Sequence, residues 1–173
     1  MSHRVAILSL VTAALVLAGP AHAHARSYSP LDEYMLQSGI QGDRFEIAGG
    51  KLAQSKAVTP AVKALGARLL KDHSQSLADA IKVAKRLGIR VPQTPSPSQE
   101  WELQMVSDLT GTGFDAAYAK LEIQDHKQDI DDNKMEAAEG ANAGVRHLAR
   151  TDLPVLRTHL KLSKAALRAV PAS

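Results

Sequence analysis

The stretch "TPAVKALGARLLKDHSQSLADAIKVAKRLG", from Thr59 to Gly88, decides the fold. Thr59-Pro60 offers an N-cap followed by proline at the first helical position, and Gly88 supplies a stop after Leu87. Between them Val62, Leu65, Leu69, His73, Leu77, Ala80, Ala84 and Leu87 recur at spacings of three and four. That predicts a helix over Pro60–Leu87, roughly 40 Å long, with one buried stripe. Such a stripe needs partners of similar length.

The same punctuation recurs outward from it. Ser29-Pro30, with Asp32 placed for a capping box, opens a helix over Pro30–Ala57. Thr112 with Asp115 opens one over Phe114–Glu139, stopped by Gly140, and Asn142 opens one over Ala143–Ala169. "GIRVPQTPSPSQ" (Gly88–Gln99) is proline-rich and extended, and a short amphipathic helix follows it, with Trp101, Met105 and Leu109 on one face. No β-alternating run stands out. The expected class is all-α: a four-helix bundle whose long crossover carries a short extra helix.

Upstream, Arg4, the uncharged apolar run Val5–Gly19 and "AHAHA" (Ala21–Ala25) have the layout of a secretory signal peptide. Residues 1–25 are therefore expected to be removed, at Ala23 or Ala25, leaving one domain over 26–173. The product is expected to be exported to the periplasm, with no membrane span after cleavage. Of 21 basic and 18 acidic side chains only Arg4 leaves with the leader, so the domain carries about +2. With no basic block and six aromatics spread along the chain, nucleic-acid binding is not expected. The chain has no cysteine, which excludes disulfides and thiolate chemistry.

The inward stripes each hold one ionisable side chain near their middle: Glu46, His73, His126 and His159. At 1.5 Å of rise per residue they fall roughly 16–20 Å from one end if the crossover runs the length of the bundle, and roughly 16–24 Å in a plain up-down bundle. Four inward groups at one level form a ligand set for one transition metal, zinc, iron or copper. They equally form a network of core histidines satisfied by each other and by a carboxylate. Asp72, Asp125 and Asp152 stand where they could orient a histidine from a neighbouring helix. His147 is off the stripe and expected to be exposed. The helix-one stripe Met35, Gly39, Gly42, Glu46, Gly49, Ala53 and Ala57 is rich in glycine, which implies close approach by a neighbour. Glu122, Asp125, Asp129, Asp132 and Glu136 form one acidic face, which reads as a solvated face paired with basic residues of the last helix rather than as a cation-entry route or divalent site. Pro154 predicts a kink before His159.

"FEIAGGKLAQSK" (Phe45–Lys56), "VKALGARLLKDHSQ" (Val62–Gln75), "FDAAYAKLEIQDHK" (Phe114–Lys127) and "LPVLRTHL" (Leu153–Leu160) together resemble the exported bacterial family known as domain of unknown function 4142. The resemblance implies a secreted ferritin-like bundle and no particular activity. Three residues before His73, His126 and His159 stand Leu70, Ile123 and Leu156, so the Glu-x-x-His pairs of di-iron bundles are missing. The expectation is a non-enzymatic bundle binding one metal through Glu46, His73, His126 and His159, with no catalytic residues assigned. The rival readings are a metal-dependent redox or stress-protective enzyme, and an envelope interaction module whose histidines are structural. The sequence leaves a protein or small-molecule partner, and homo-oligomerisation, open.

Overall fold

A computed structural model describes residues 27–172; the expected signal peptide lies outside them. The helices are α1 (Pro30–Lys56), α2 (Pro60–Leu87), α3 (Pro97–Ser107), α4 (Gly111–Glu139) and α5 (Ala143–Ala169). None of them is long and apolar enough to cross a membrane. Ser29 and Asp32 form the expected capping box, Gly88 stops α2 at φ 69°, and the Asn142 side chain caps α5. Two starts differ from expectation. Thr59 precedes α2 without a side-chain cap. The N-cap of α4 is Thr110 rather than Thr112, and Asp115 instead accepts the Val58 and Thr59 amides at 3.2 and 2.6 Å. A carboxylate on α4 thus fixes the two residues that lead into α2.

That bond also settles the topology. The start of α4 meets the α1–α2 turn, while Asp32 at the start of α1 accepts the Ala141 and Asn142 amides of the α4–α5 turn at 3.3 and 2.9 Å. Hence α2 and α4 run parallel, and the crossover spans the bundle as the length argument favoured. The crossover is fastened to α1 by Arg44 Nε on the Pro92 carbonyl, at 3.0 Å, and by Lys56 on the Ser107 carbonyl. Within α3, Val106 is buried, whereas Trp101, Met105 and nearby Leu109 are 64, 52 and 41% exposed. The apolar stripe expected to pack therefore faces outward. The inward side is set by Leu103, which reaches Gly49 of α1, and by Val106.

The core divides in two. One apolar cluster gathers Leu65, Leu69, Phe114 and Tyr118 around the α1–α2 turn. The other gathers Leu36, Ile40, Ala84 and Val145 at the opposite end. Between them lies a polar layer. Close approach does not explain the stripe glycines: an added Cβ at Gly49 would reach Tyr118 at an ordinary contact distance of 3.4 Å, and one at Gly39 would meet nothing within 4 Å, whereas the tight contact falls on Gly50, off the stripe. Helix α5 continues through Pro154 without interruption, and His147 is exposed.

Beside Asp32, Glu136 is fully buried, which corrects its assignment to a solvated face. Burial first, and then the Asp32 carboxylate, push its pKa up to about 7. Because the folded chain holds this proton more tightly than the unfolded one, the contribution is favourable below about pH 4.5 and is lost as pH rises through about 7. Glu136→Gln is expected to stabilise the protein at pH 8 and to leave it unchanged at pH 4. Urea midpoints at both pH values check this; equal shifts at both would defeat it.

Candidate metal centre

The polar layer is built from one turn of each long helix. His73, His126 and His159 are 5, 0 and 0% exposed, and Glu46 is 0% exposed. One ring nitrogen from each histidine lies within 4.8 Å of the others. The ring centroids are 5.1, 5.2 and 5.7 Å apart. Three residues far apart in sequence therefore converge as the stripes implied.

Each imidazole is anchored through its other nitrogen. His126 Nδ1 donates to the Glu122 backbone carbonyl at 2.8 Å, one turn earlier on α4. His159 Nε2 donates to Asp72 at 2.9 Å, and His73 Nδ1 donates to Asp43 at 2.8 Å. Asp72 is itself held by Arg68. An oxygen acceptor on one side fixes the proton there, so a neutral ring turns a bare nitrogen the other way. Those nitrogens are His126 Nε2, His159 Nδ1 and His73 Nε2. The first two stand 3.2 Å apart, and His73 Nε2 is buried without a partner. Burial, and then the neighbouring histidines, depress His126 to about 3; burial chiefly depresses His159 to about 4. Two lone pairs consequently face each other. Burial also works against a charge on His73, but the Asp43 carboxylate outweighs it and raises that pKa.

Glu46 is at the same depth but meets a different side of the cluster. Its Oε1 lies 3.7 Å from His126 Nδ1, the nitrogen already committed to the carbonyl. It groups with Asp125 and His126 rather than with all three imidazoles. Glu122, fully buried, completes that carboxylate set, so the acidic stripe of α4 is a buried face at Glu122 and Glu136. Burial first, then Glu122 and Asp125, push Glu46 well above the usual carboxylate range; burial lifts Glu122 to about 7. Asp72 does orient His159 across helices, as its position allowed. Asp152 bonds to none of the histidines but lines a cavity of about 340 Å³ that also exposes His73, His159 and Asp43. Burial, with Asp43 nearby, raises Asp152 to about 6.

Sequence reasoning missed Asp43 and placed Glu122 on a solvated face. The signal was there: Asp43 lies three residues before Glu46 and Glu122 four before His126, each on the face of the residue already singled out.

The fold and the site together define an all-α helical bundle whose core holds three anchored imidazoles, a group that could hold a metal ion. The model of the family "Domain of unknown function (DUF4142)" matches residues 17–166, and the chain belongs to that family. No curated protein matches the chain. Among solved structures it is similar to a DUF305 fragment from Deinococcus radiodurans, with a TM-score of 0.71 and 16% identity over 82% of this chain and 97% of that one. At that identity the likeness shows the fold alone.

Proposed function

We infer that this is an exported metal-binding protein holding one transition-metal ion through His73 Nε2, His126 Nε2 and His159 Nδ1. The observation that carries the reading is the pairing of every imidazole with its own oxygen acceptor, which leaves the second nitrogen of each ring for a ligand, in three rings with nitrogens within 4.8 Å of one another. Outer acceptors of this kind fix the tautomer and raise ligand basicity in metal sites. Two nitrogens on a tetrahedral zinc ion, each at ~2.0–2.1 Å, stand about 3.3 Å apart. The 3.2 Å between His126 and His159 fits that spacing without rearrangement. A purely structural network would instead place a donor between them. Nitrogen ligands suit zinc, copper or iron.

Three protein ligands leave a coordination position over, and the 340 Å³ cavity reaches two of the rings. That favours, as a second reading, a metal-dependent redox or hydrolytic enzyme. Protein purified without a polyhistidine tag is expected to carry, or take up, close to one metal ion per chain. A His73→Ala/His126→Ala double variant should lose it. A parent chain that stays folded and takes up no zinc, copper or iron would remove the reading. If metal is held, consumption of peroxide or ferrous iron separates enzyme from binding protein.

A further inference from the structure

The heaviest concentration of unpartnered buried atoms is beside the three imidazoles rather than among them. Both oxygens of Glu46, both of Glu122 and Oδ2 of Asp125 are buried with no N–H donor, and the Tyr118 hydroxyl beside them is buried too. Isolated buried carboxylates are among the costliest groups a fold can hold, and groups left this way call for an ion, a water or a proton. Glu46 stands within hydrogen-bonding reach of Glu122 and Asp125, and carboxylates so placed need either a shared proton or a cation between them. The adjacent ring offers neither, since His126 Nδ1 already donates to the Glu122 carbonyl.

We propose that Glu46, Glu122 and Asp125 form a second cation site, built for a hard divalent ion, on the opposite side of His126 from the three bare nitrogens. An oxygen of Glu46, an oxygen of Asp125 and a nitrogen of His126 already lie within 4.8 Å of one another. Tyr118, 0% exposed, borders the same group. Its hydroxyl meets the Glu122 carboxylate and adds a neutral oxygen beside the acidic ones. The ring of Tyr118 and a Glu122 oxygen both reach Gly49 of α1, where an added Cβ would touch them at 3.4 and 3.6 Å. Access is separate as well. Asp125 lines a surface cleft of about 380 Å³ shared with Glu102 and Asp131, whereas the separate cavity of about 340 Å³ serves His73 and His159. The cleft is acid-rimmed and draws cations. Carboxylate oxygens select manganese, magnesium or calcium; imidazoles select zinc or copper. The layer would therefore sort two ions by ligand type.

The test uses the full folded chain, stripped with a chelator, given one equivalent of Zn²⁺ and titrated with Mn²⁺ while the free-ion EPR signal is followed. One Mn²⁺ per chain is expected in addition to zinc. A Glu46→Gln/Glu122→Gln variant should weaken Mn²⁺ at least about tenfold while keeping its zinc, because ligand charge sets affinity at oxygen sites. A His73→Ala/His159→Ala variant should lose zinc and keep Mn²⁺. Three results overturn the site: no Mn²⁺ uptake, Mn²⁺ entering only by displacing zinc, or Mn²⁺ bound equally well by the glutamine variant. Failure of zinc binding with Mn²⁺ uptake intact would instead sink only the three-imidazole reading. Circular dichroism confirms that each variant is folded.

Discussion

Stripped of metal and then given Zn²⁺ at about a thousand times its Kd, the protein is expected to gain roughly 4 kcal/mol of folding stability. Binding to the folded chain alone produces that gain, and the preformed cluster meets the condition because its nitrogens come from three different helices. The informative variant is His126→Leu. With zinc present it should be less stable than the parent by most of the gain. Without zinc the sign should change. In the metal-free parent, His126 Nε2 and His159 Nδ1 oppose their lone pairs at 3.2 Å inside a buried layer. A leucine removes one of them and keeps the volume filled. The lost Nδ1 bond costs little, because the Glu122 carbonyl also accepts within the α4 ladder. A structural histidine network predicts the reverse: removing His126 would leave its partners unsatisfied and cost ~1–3 kcal/mol with or without metal. Urea unfolding of both chains, with and without zinc, decides between the two. Metal-free His126→Leu falling well below the metal-free parent would defeat the metal reading.

Local chemistry made the fold legible. Ser29-Pro30, Gly88 and Asn142 act within one turn of themselves, and α1, α2 and α5 begin or end where those residues say. The convergence of His73, His126 and His159 was legible too, because rise per residue converts sequence distance into depth. What failed were questions of azimuth and of partner. The stripe Trp101, Met105 and Leu109 is a sound helical face, yet α3 ends at Ser107, contact with Gly49 turns Leu103 inward, and Val106 is the residue buried. Glu122 was read as solvated because burying a carboxylate is costly. That average expectation breaks down where a site uses the charge. Asp43 was overlooked because its role depends on a ring from α2, which no spacing within α1 reveals.

Gly50→Ala and Gly66→Ala are each expected to cost about 2 kcal/mol or more, although alanine raises helix propensity by ~1 kcal/mol over glycine. At Gly50 an added Cβ would stand 2.6 Å from the Gly66 carbonyl oxygen and 3.0 Å from the Leu70 backbone nitrogen. At Gly66 it would stand 2.6 Å from Ala53 Cβ. Backbone and a methyl group cannot rotate aside, so α1 and α2 must separate. Gly39→Ala is the control on the same helix. It meets nothing within 4 Å and should gain up to ~1 kcal/mol. The consequence reaches the metal layer, because Gly50 follows Asp43 by two turns and Gly66 precedes His73 by two. Parting the helices lengthens the 2.8 Å Asp43–His73 bond that fixes the His73 tautomer. Loss of such an outer partner weakens metal affinity ~10–100-fold. Zinc affinity in folded Gly50→Ala should therefore fall within that range while Gly39→Ala binds as the parent does. Gly50→Ala binding zinc normally, or proving as stable as the parent, would mean that this close contact between α1 and α2 does not set the geometry of the imidazoles.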